Sequence, residues 1–434
     1  MQYLSENHQS TDREKIFILL LLVFLVVGLF ALPYFADMAF INAMVLVCIA
    51  ALYAMGYNLL WGQAGLISFG HATYFAFGAS CTIMMMAGIE GGSSFPTPFL
   101  PLVGGAASFL IGIVAGWFAT IRTGVYFAMI TVAITELARA IVQRWDTVFG
   151  GEAGITSIRT AWGPFGFQKL IDVYYFTLVW TIICIILLWF LQKSPVGMVI
   201  RGIREQEERV RFLGYDAHAL KTLVFAISAG VSGMAGGLLA FTNESTNVTL
   251  YEGAYSTTVL INTVIGGAGV FLGPVVGATL TTLFGYYIAN LTFHWLLYMG
   301  LLFIVIVVCA PRGITGLGVD AVMHIRSGAR LPWRLICKQI LGWLLLSIGS
   351  VMIIEMVGAV LQPSYGALAR SSGVAWPPVN VFGINWSPSS PLTLSGIALI
   401  FVVALVLLRD TASSAHRNVL KLAGAIVQKP EAGS

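Results

Sequence analysis

The side chains in this sequence that could recognise a solute are concentrated in one stretch, Asn58–Ala79, which reads NLLWGQAGLISFGHATYFAFGA. Asn58, Gln63, Ser68, His71 and Tyr74 offer hydrogen-bond donors and acceptors among apolar neighbours, and Gly62, Gly65 and Gly70 are interspersed with them. The chemistry open to this set is reversible hydrogen bonding to a passing molecule. The glycines add a second capacity: each raises the cost of a helix interior by about 1 kcal/mol relative to alanine, and each lets backbones approach closely. Irregular backbone at membrane depth is tolerated only where protein buries it or where it lines a cavity. Two readings fit these residues, a broken membrane helix facing a pathway and an interhelical loop with a small-residue packing face. His71 likewise reads as a ligand or gate, or as a hydrogen-bonded packing residue.

The pattern has a faint echo. Asn58-x-x-x-Gly62-Gln63-Ala64-Gly65 resembles Asn262-x-x-x-Gly266-Gly267-Ala268-Gly269, and a glycine follows each, Gly70 or Gly273. Paired glycine-interrupted segments in the two halves of a transporter point to its translocation site. On that reading Asn262, Gly266, Gly267 and Gly269 join the first set; chance similarity in a glycine-rich chain is the rival.

The second informative stretch is charged. Lys193–Lys221 reads KSPVGMVIRGIREQEERVRFLGYDAHALK. The spacing predicts a short helix over 198–213, with Val199, Ile203, Val210 and Leu213 as an apolar strip and Arg204, Glu205, Glu207, Glu208 and Arg211 directed elsewhere. Gly214 is placed to end it as a C-cap. A solvated loop with weak local ion pairs is one reading; a rigid docking helix that takes mechanical input from another subunit is the other, favoured by its length and two-faced character. Glu136 and Arg139 share a helix face within an apolar run, where charge is costly and functional by default unless the pair satisfies itself. Glu355 stands alone in its run.

Other chemistries are excluded by what is missing. No glycine precedes a lysine, so there is no phosphate-binding loop of the G-x-x-x-x-G-K-S/T type. Gly267-x-Gly269 lacks the third glycine of a dinucleotide fingerprint, since that position is Leu272, and there is no HExxH. Cys48, Cys81, Cys184, Cys309 and Cys337 form no CxxC pair and imply neither a disulfide framework nor a metal site.

The elements that must position these residues are membrane helices. The chain is 58% hydrophobic and only 10% charged, with a mean hydropathy of +0.87, whereas soluble domains are about 25% charged. Apolar runs of crossing length lie near 16–33, 38–60, 72–89, 99–121, 123–143, 173–192, 219–242, 272–292, 294–310, 340–361 and 392–408, with a shorter glycine-interrupted run at 255–270. The first is too long for a signal peptide. The fold class is therefore an all-α polytopic membrane protein with about 10–12 spans, some broken or re-entrant. Most of the 23 basic residues fall on one side under a twelve-span topology, which puts both termini in the cytoplasm. The glycine pairs Gly112/Gly116, Gly233/Gly237, Gly269/Gly273 and Gly273/Gly277 read as helix-packing sites. Segment 362–391, rich in Pro, Ser, Trp and Asn, is expected to be an extended loop.

Taken together, "GQAGLISFGHA", "GVYFAMITVAITELARAI", "RGIREQEERVRFLGY" followed by "LVFAISAGVSGMAGGL", then "GGAGVFLGPVVGA" and "APRGITGL" resemble the LivM-type permease subunit of branched-chain amino-acid ABC importers; urea and amide importer permeases are close relatives. The resemblance covers about residues 38–318. It implies a bacterial inner-membrane permease with a LivH-type sister permease, two cytoplasmic ATPase subunits that bind ATP and Mg, and a periplasmic solute-binding protein. No cofactor is expected on this chain itself, and it is not expected to be an enzyme. The resemblance makes 193–218 the coupling loop and Arg201, Arg204, Glu205, Glu208, Arg211 and Gly214 its contact residues. Glu207, Glu208, Arg209 and Val210 depart from the usual small residues before that glycine. Family members commonly stop soon after "PRGITGL", so the expected layout is a cytoplasmic segment 1–15, the permease domain 16–318, and an extension 319–434 with an extra helical hairpin. The pathway would be walled by 58–75 and 258–274 and would carry branched-chain or other small aliphatic amino acids. Urea or short amides are the alternative substrates, and a stand-alone secondary transporter or channel is the alternative class.

Overall fold

A computed structural model describes residues 23–409, apart from 164–165, 293, 311, 327–332, 373–375, 382–383, 388–389 and 392–393. The expected cytoplasmic segment 1–15 and the basic residues Arg330, Arg417, Lys421 and Lys429 lie outside the described residues. Seven helices are long and apolar enough to cross a membrane, and three shorter apolar helices accompany them among the described residues. The chain is a multi-pass, all-α membrane protein.

Two compact units are formed. One runs to Tyr286 and takes in Met299–Val319; the other comprises Tyr287–Tyr298 and the chain from Asp320 onward. The first unit begins with α1 (Val23–Tyr34) and continues with α2 (Met38–Asn58), α3 (Ala72–Glu90), α4 (Leu100–Ala119), α5 (Val125–Arg144), the single turn α6 (Asp146–Phe149), α7 (Leu170–Lys193), α8 (Pro195–Phe212), α9 (Ala217–Asn243), α10 (Gly253–Gly266) and most of α11 (Gly273–Ile288); α12 (Trp295–Cys309) and α13 (Gly313–Arg326) each divide between the two units.

Its core is built on α9, which packs against α2, α3 and α4. In lipid no hydrophobic force draws helices together, so close packing of small residues must do so. Gly233 supplies this at the crossing: a Cβ there would overlap the Ser108 side chain of α4, and Gly78 of α3 runs against the Gly233 backbone. Gly112 meets Ala229, Gly116 meets Phe225 and Gly237 meets Thr82, so these glycines pack helices. The buried faces of α2, α3, α7 and α9 then close around Leu52, Phe75, Tyr174, Leu178 and Phe241. At the end of α9 away from α8, β1 (Ile155–Thr156) and β2 (Ser245–Thr246) pair antiparallel, and Arg159 holds Glu244 at 2.9 Å.

The second unit contains α14 (Trp333–Leu361), α15 (Pro363–Ser372) and the antiparallel hairpin of β3 (Val379–Val381) and β4 (Ile384–Trp386), followed by the helix Leu394–Arg409. Segment 362–391 is thus not the extended loop its composition predicts. Met356 and Ile397 form a small core to which Tyr365 and Trp386 are packed, and Tyr365 donates to Pro377 O at 2.8 Å. Glu355 is not alone: it accepts from Tyr298 at 2.7 Å and from Thr292, with His294 Nδ1 3.4 Å away.

Candidate functional site: the broken helix and its charged elbow

α2 does not end cleanly. Beyond Asn58 the chain takes the wider π form over Leu59–Gln63, a distortion frequent at functional sites. Gly65 then adopts φ +74, residues 65–69 run without helix, and α3 begins at Ala72. Only glycine suits position 65, because the backbone is left-handed and a Cβ would stand 3.0 Å from Arg204 Cγ. Exposure alternates along this stretch as in extended chain. Leu66, Ser68 and Gly70 are buried, while Gly65, Ile67 and Phe69 face outward.

The stretch runs from Gly65, which meets Arg204 of α8, to His71 near the middle of α9. His71, fully buried, sets Nε2 2.8 Å from Ser228 Oγ, and Ser228 lies about 16 Å along α9 at 1.5 Å per residue. Ser228 donates its own proton to Gly56 O at 2.6 Å. His71 Nε2 must therefore be the donor of their shared bond, leaving Nδ1 bare; among the described residues Nδ1 indeed has no partner. The rings of Tyr57, Tyr74 and Phe225 stand edge-on around the imidazole.

The other sequence-singled residues are mostly held inside the subunit. Ser68 O accepts from Tyr57 at 2.9 Å and its hydroxyl accepts from Gly70 N at 3.2 Å. Asn58 and Gln63, with Leu188, Gln192 and Phe271, line a small void; the Asn58 and Gln63 side-chain oxygens have no partner among the described residues. Tyr74 O accepts from Ser108 at 2.7 Å. Asn262 accepts from Thr281 at 2.6 Å. Gly266 and Gly267 are buried where α10 turns towards α11, and Gly269 is exposed. The two broken segments meet, since a Cβ on Gly62 would lie 2.7 Å from Ala268 O. Ile67 and Phe69, which present the outward face, were not singled out by sequence. Their signal was the alternation Leu66–Gly70, hard to read inside an apolar run.

The charged loop is an elbow rather than one helix. Ser194 caps α8 by accepting from Gly197 N at 3.2 Å. Gln206 has φ −159 and ψ 98, which divides α8 into two arms. The break takes Leu213 out of the expected apolar strip: Ile203 and Val210 pack with Ala217, while Leu213 is 71% and Phe212 90% exposed. Gly214, at φ +88, turns the chain towards Asp216. The Asp216 carboxylate accepts from Ala219 N and His218 N at 3.1 and 2.9 Å, which lowers its pKa.

The charges of the elbow divide into two groups. Arg201 donates to Gln192 O at 3.0 Å and Arg204 to Gly62 O. Glu207 accepts from Lys221 at 2.9 Å and from Arg211 at 2.6 Å. Partial burial raises the Glu207 pKa, but the two cations outweigh it and the net shift is downward. Glu205 and Glu208 are exposed and have no ion-pair partner among the described residues. Lys221, buried at the base of α9, was not singled out because its partner is distant in sequence. Arg139 lies 3.8 Å from both Glu136 and Glu252.

A bundle of apolar helices with one helix broken to the surface, seated on a water-facing charged elbow, defines a membrane transport subunit. The chain belongs to the family described as "Branched-chain amino acid transport system / permease component", which matches residues 39–310; this is a transport family, not an enzyme family. It is 26% identical over 330 residues to the high-affinity branched-chain amino acid transport system permease protein LivM of Escherichia coli, covering 70% of this chain and 76% of that one. It is 23% identical over 282 residues to a probable branched-chain amino acid transport permease protein LivH of Methanocaldococcus jannaschii, covering 61% and 88%. An autoinducer 2 import system permease protein, LsrC of Salmonella paratyphi B, is 23% identical over 304 residues, covering 65% and 79%. No solved structure matches the chain significantly.

Proposed function

We propose that this chain is a conducting subunit of an ATP-driven importer for branched-chain or other small aliphatic amino acids. The observation that carries the reading is the outward face of 65–69. The amides of Ile67 and Ser68 find no partner among the described residues, and Ile67 and Phe69 are about two-fifths exposed, at 41% and 42%. Unpaired, non-helical backbone within a bundle of membrane helices cannot face lipid. It needs a neighbouring subunit or a wet path, and a path between two permeases satisfies both. Main-chain groups would meet the charged head of an amino acid there, and Ile67 and Phe69 its aliphatic tail.

The partners follow from this reading: a LivH-type sister permease across the path, a periplasmic binding protein on the outer face, and two ATPase subunits carrying ATP and Mg under the elbow. The protein would sit in a bacterial inner membrane with both termini in the cytoplasm. Glu205, Glu208, Phe212 and Leu213 form the elbow surface free to meet an ATPase.

Proteoliposomes holding the complete complex should take up leucine against a gradient with ATP, with isoleucine and valine competing and urea and acetamide not. Concentrative uptake by this chain alone, without a nucleotide-hydrolysing subunit, would overturn the reading. Competition by urea but not by leucine would overturn the substrate class alone.

A further inference from the structure

A helix leaves its last carbonyls without partners, and a cation placed there both satisfies and stabilises them. Two arginines of the elbow do this for two different membrane helices. Arg201 reaches Gln192 O at the end of α7, and Arg204 reaches Gly62 O in the π turn that ends α2. They are three residues apart and so lie on one face of the first arm. The Arg204 stem also lies under Gly65, where the exposed stretch starts.

The second arm holds a different helix. Glu207 grips Lys221 of α9 at 2.9 Å, and the Lys221 side chain is only 3% exposed. Between the two grips stands Gln206, the one residue of α8 with extended backbone. The arms touch each other through the small cluster of Ile203 and Val210 and the approach of Val210 to Gly202.

We infer that Arg201 and Arg204 are positioning residues of transport: they tie the first arm to the ends of α7 and α2, so that a push on the elbow displaces the π turn and the 65–69 stretch relative to α9, with Gln206 as the hinge. The inference rests on the reading that the elbow receives the stroke of an ATPase. It separates the residues that transmit that stroke, Arg201 and Arg204, from those free to receive it, Glu205, Glu208, Phe212 and Leu213.

The test uses the whole complex in proteoliposomes and reads solute moved per ATP hydrolysed. Arg204→Met keeps an aliphatic stem against Gly65 but removes the donor. We expect the ATPase subunits to co-purify at the wild-type ratio, hydrolysis to stay within twofold, and solute moved per ATP to fall at least tenfold; Arg204→Lys should be intermediate. An unchanged ratio overturns the inference. So does loss of the ATPase subunits from Arg204→Met, which would make Arg204 a docking residue. The underlying reading fails separately: if Glu208→Lys and Phe212→Asp together leave both ATPase binding and uptake intact, the elbow is not the dock. Should Arg204→Met fail to accumulate, spin-label pairs on an otherwise native chain decide the matter. The 193–205 distance should stay fixed between the nucleotide-free and vanadate-trapped complex, while the 205–219 distance shifts. Any other pattern overturns the hinge.

Discussion

Glu207→Ala is the sharpest stability test of the elbow. It would leave Lys221 with a buried ammonium and no partner, because Glu207 is the acid that Lys221 meets. Removing one member of a buried ion pair costs 3–5 kcal/mol when both groups are dry. The Glu207 side chain is 25% exposed, so water can reach the vacated side and about 2–3 kcal/mol is expected. At 1.4 kcal/mol per tenfold, local opening of 195–221 should become ~30–150-fold more frequent. Hydrogen exchange of that segment in the purified protein measures this directly. The double variant Glu207→Leu with Lys221→Met removes both charges and should recover most of the protection, which separates loss of the pair from loss of packing. The sign with pH is also fixed. The Glu207 pKa is lowered in the folded protein, so the bond contributes fully above the ordinary carboxylate range and is lost only as pH falls through the depressed value. Protection should be flat from pH 7 to 5 and decline below that. Exchange in Glu207→Ala within threefold of wild type would refute the reasoning.

Further expectations concern the path and the dock. Ile67→Trp should cut uptake at least tenfold with normal assembly, because its side chain faces outward; wild-type uptake would remove 65–69 from the path. Gly62→Ala would drive a Cβ into the Asn58 side chain and to 2.7 Å from Ala268 O, an overpacking worth about 1–3 kcal/mol. It should lower the yield of monodisperse protein in size-exclusion chromatography, and a wild-type profile would deny the close approach. Phe212→Asp leaves a 90% exposed position exposed, so folding should be unchanged while recovery of ATPase subunits drops severalfold on affinity purification.

Much of this was legible in the residues. Gly62, Gly65 and Gly70 among apolar neighbours announced a break in the helix, because glycine is the residue that a reversed or closely approached backbone requires. What they could not announce was which way each side chain turned. Ser68 and His71 look like ligands in a linear reading, yet Tyr57 and Ser228 hold them inside; those partners are 11 and 157 residues away. The elbow's helical period was visible, but a single extended residue at Gln206 cannot be read from periodicity, and it moved Leu213 from core to surface. Segment 362–391 misled for a related reason. Its composition is that of a loop, and the apolar contacts that order it come from α14 and the helix after it.

The break in the helix has a mechanical consequence of its own. A continuous helix passes a push at one end to the other, because every turn is hydrogen-bonded to the next. Here the part of the element farther from the elbow is α3, fixed by the crossing of Gly78 with Gly233 and by Ser80 against Tyr251. The part nearer the elbow is extended chain: Gly65 N and Leu66 N still bond back to Trp61 O and Leu60 O at 3.0 and 3.1 Å, but beyond them the stretch is held by Phe69 N to Thr131 at 3.1 Å, Tyr57 to Ser68 O at 2.9 Å and Gly70 N to Ser68 Oγ at 3.2 Å. If Arg204 passes force to Gly62 as proposed, that force meets a soft segment before a stiff one, and displacement concentrates in the soft one. A permease built this way could move the half nearer the elbow while the other half keeps its packing.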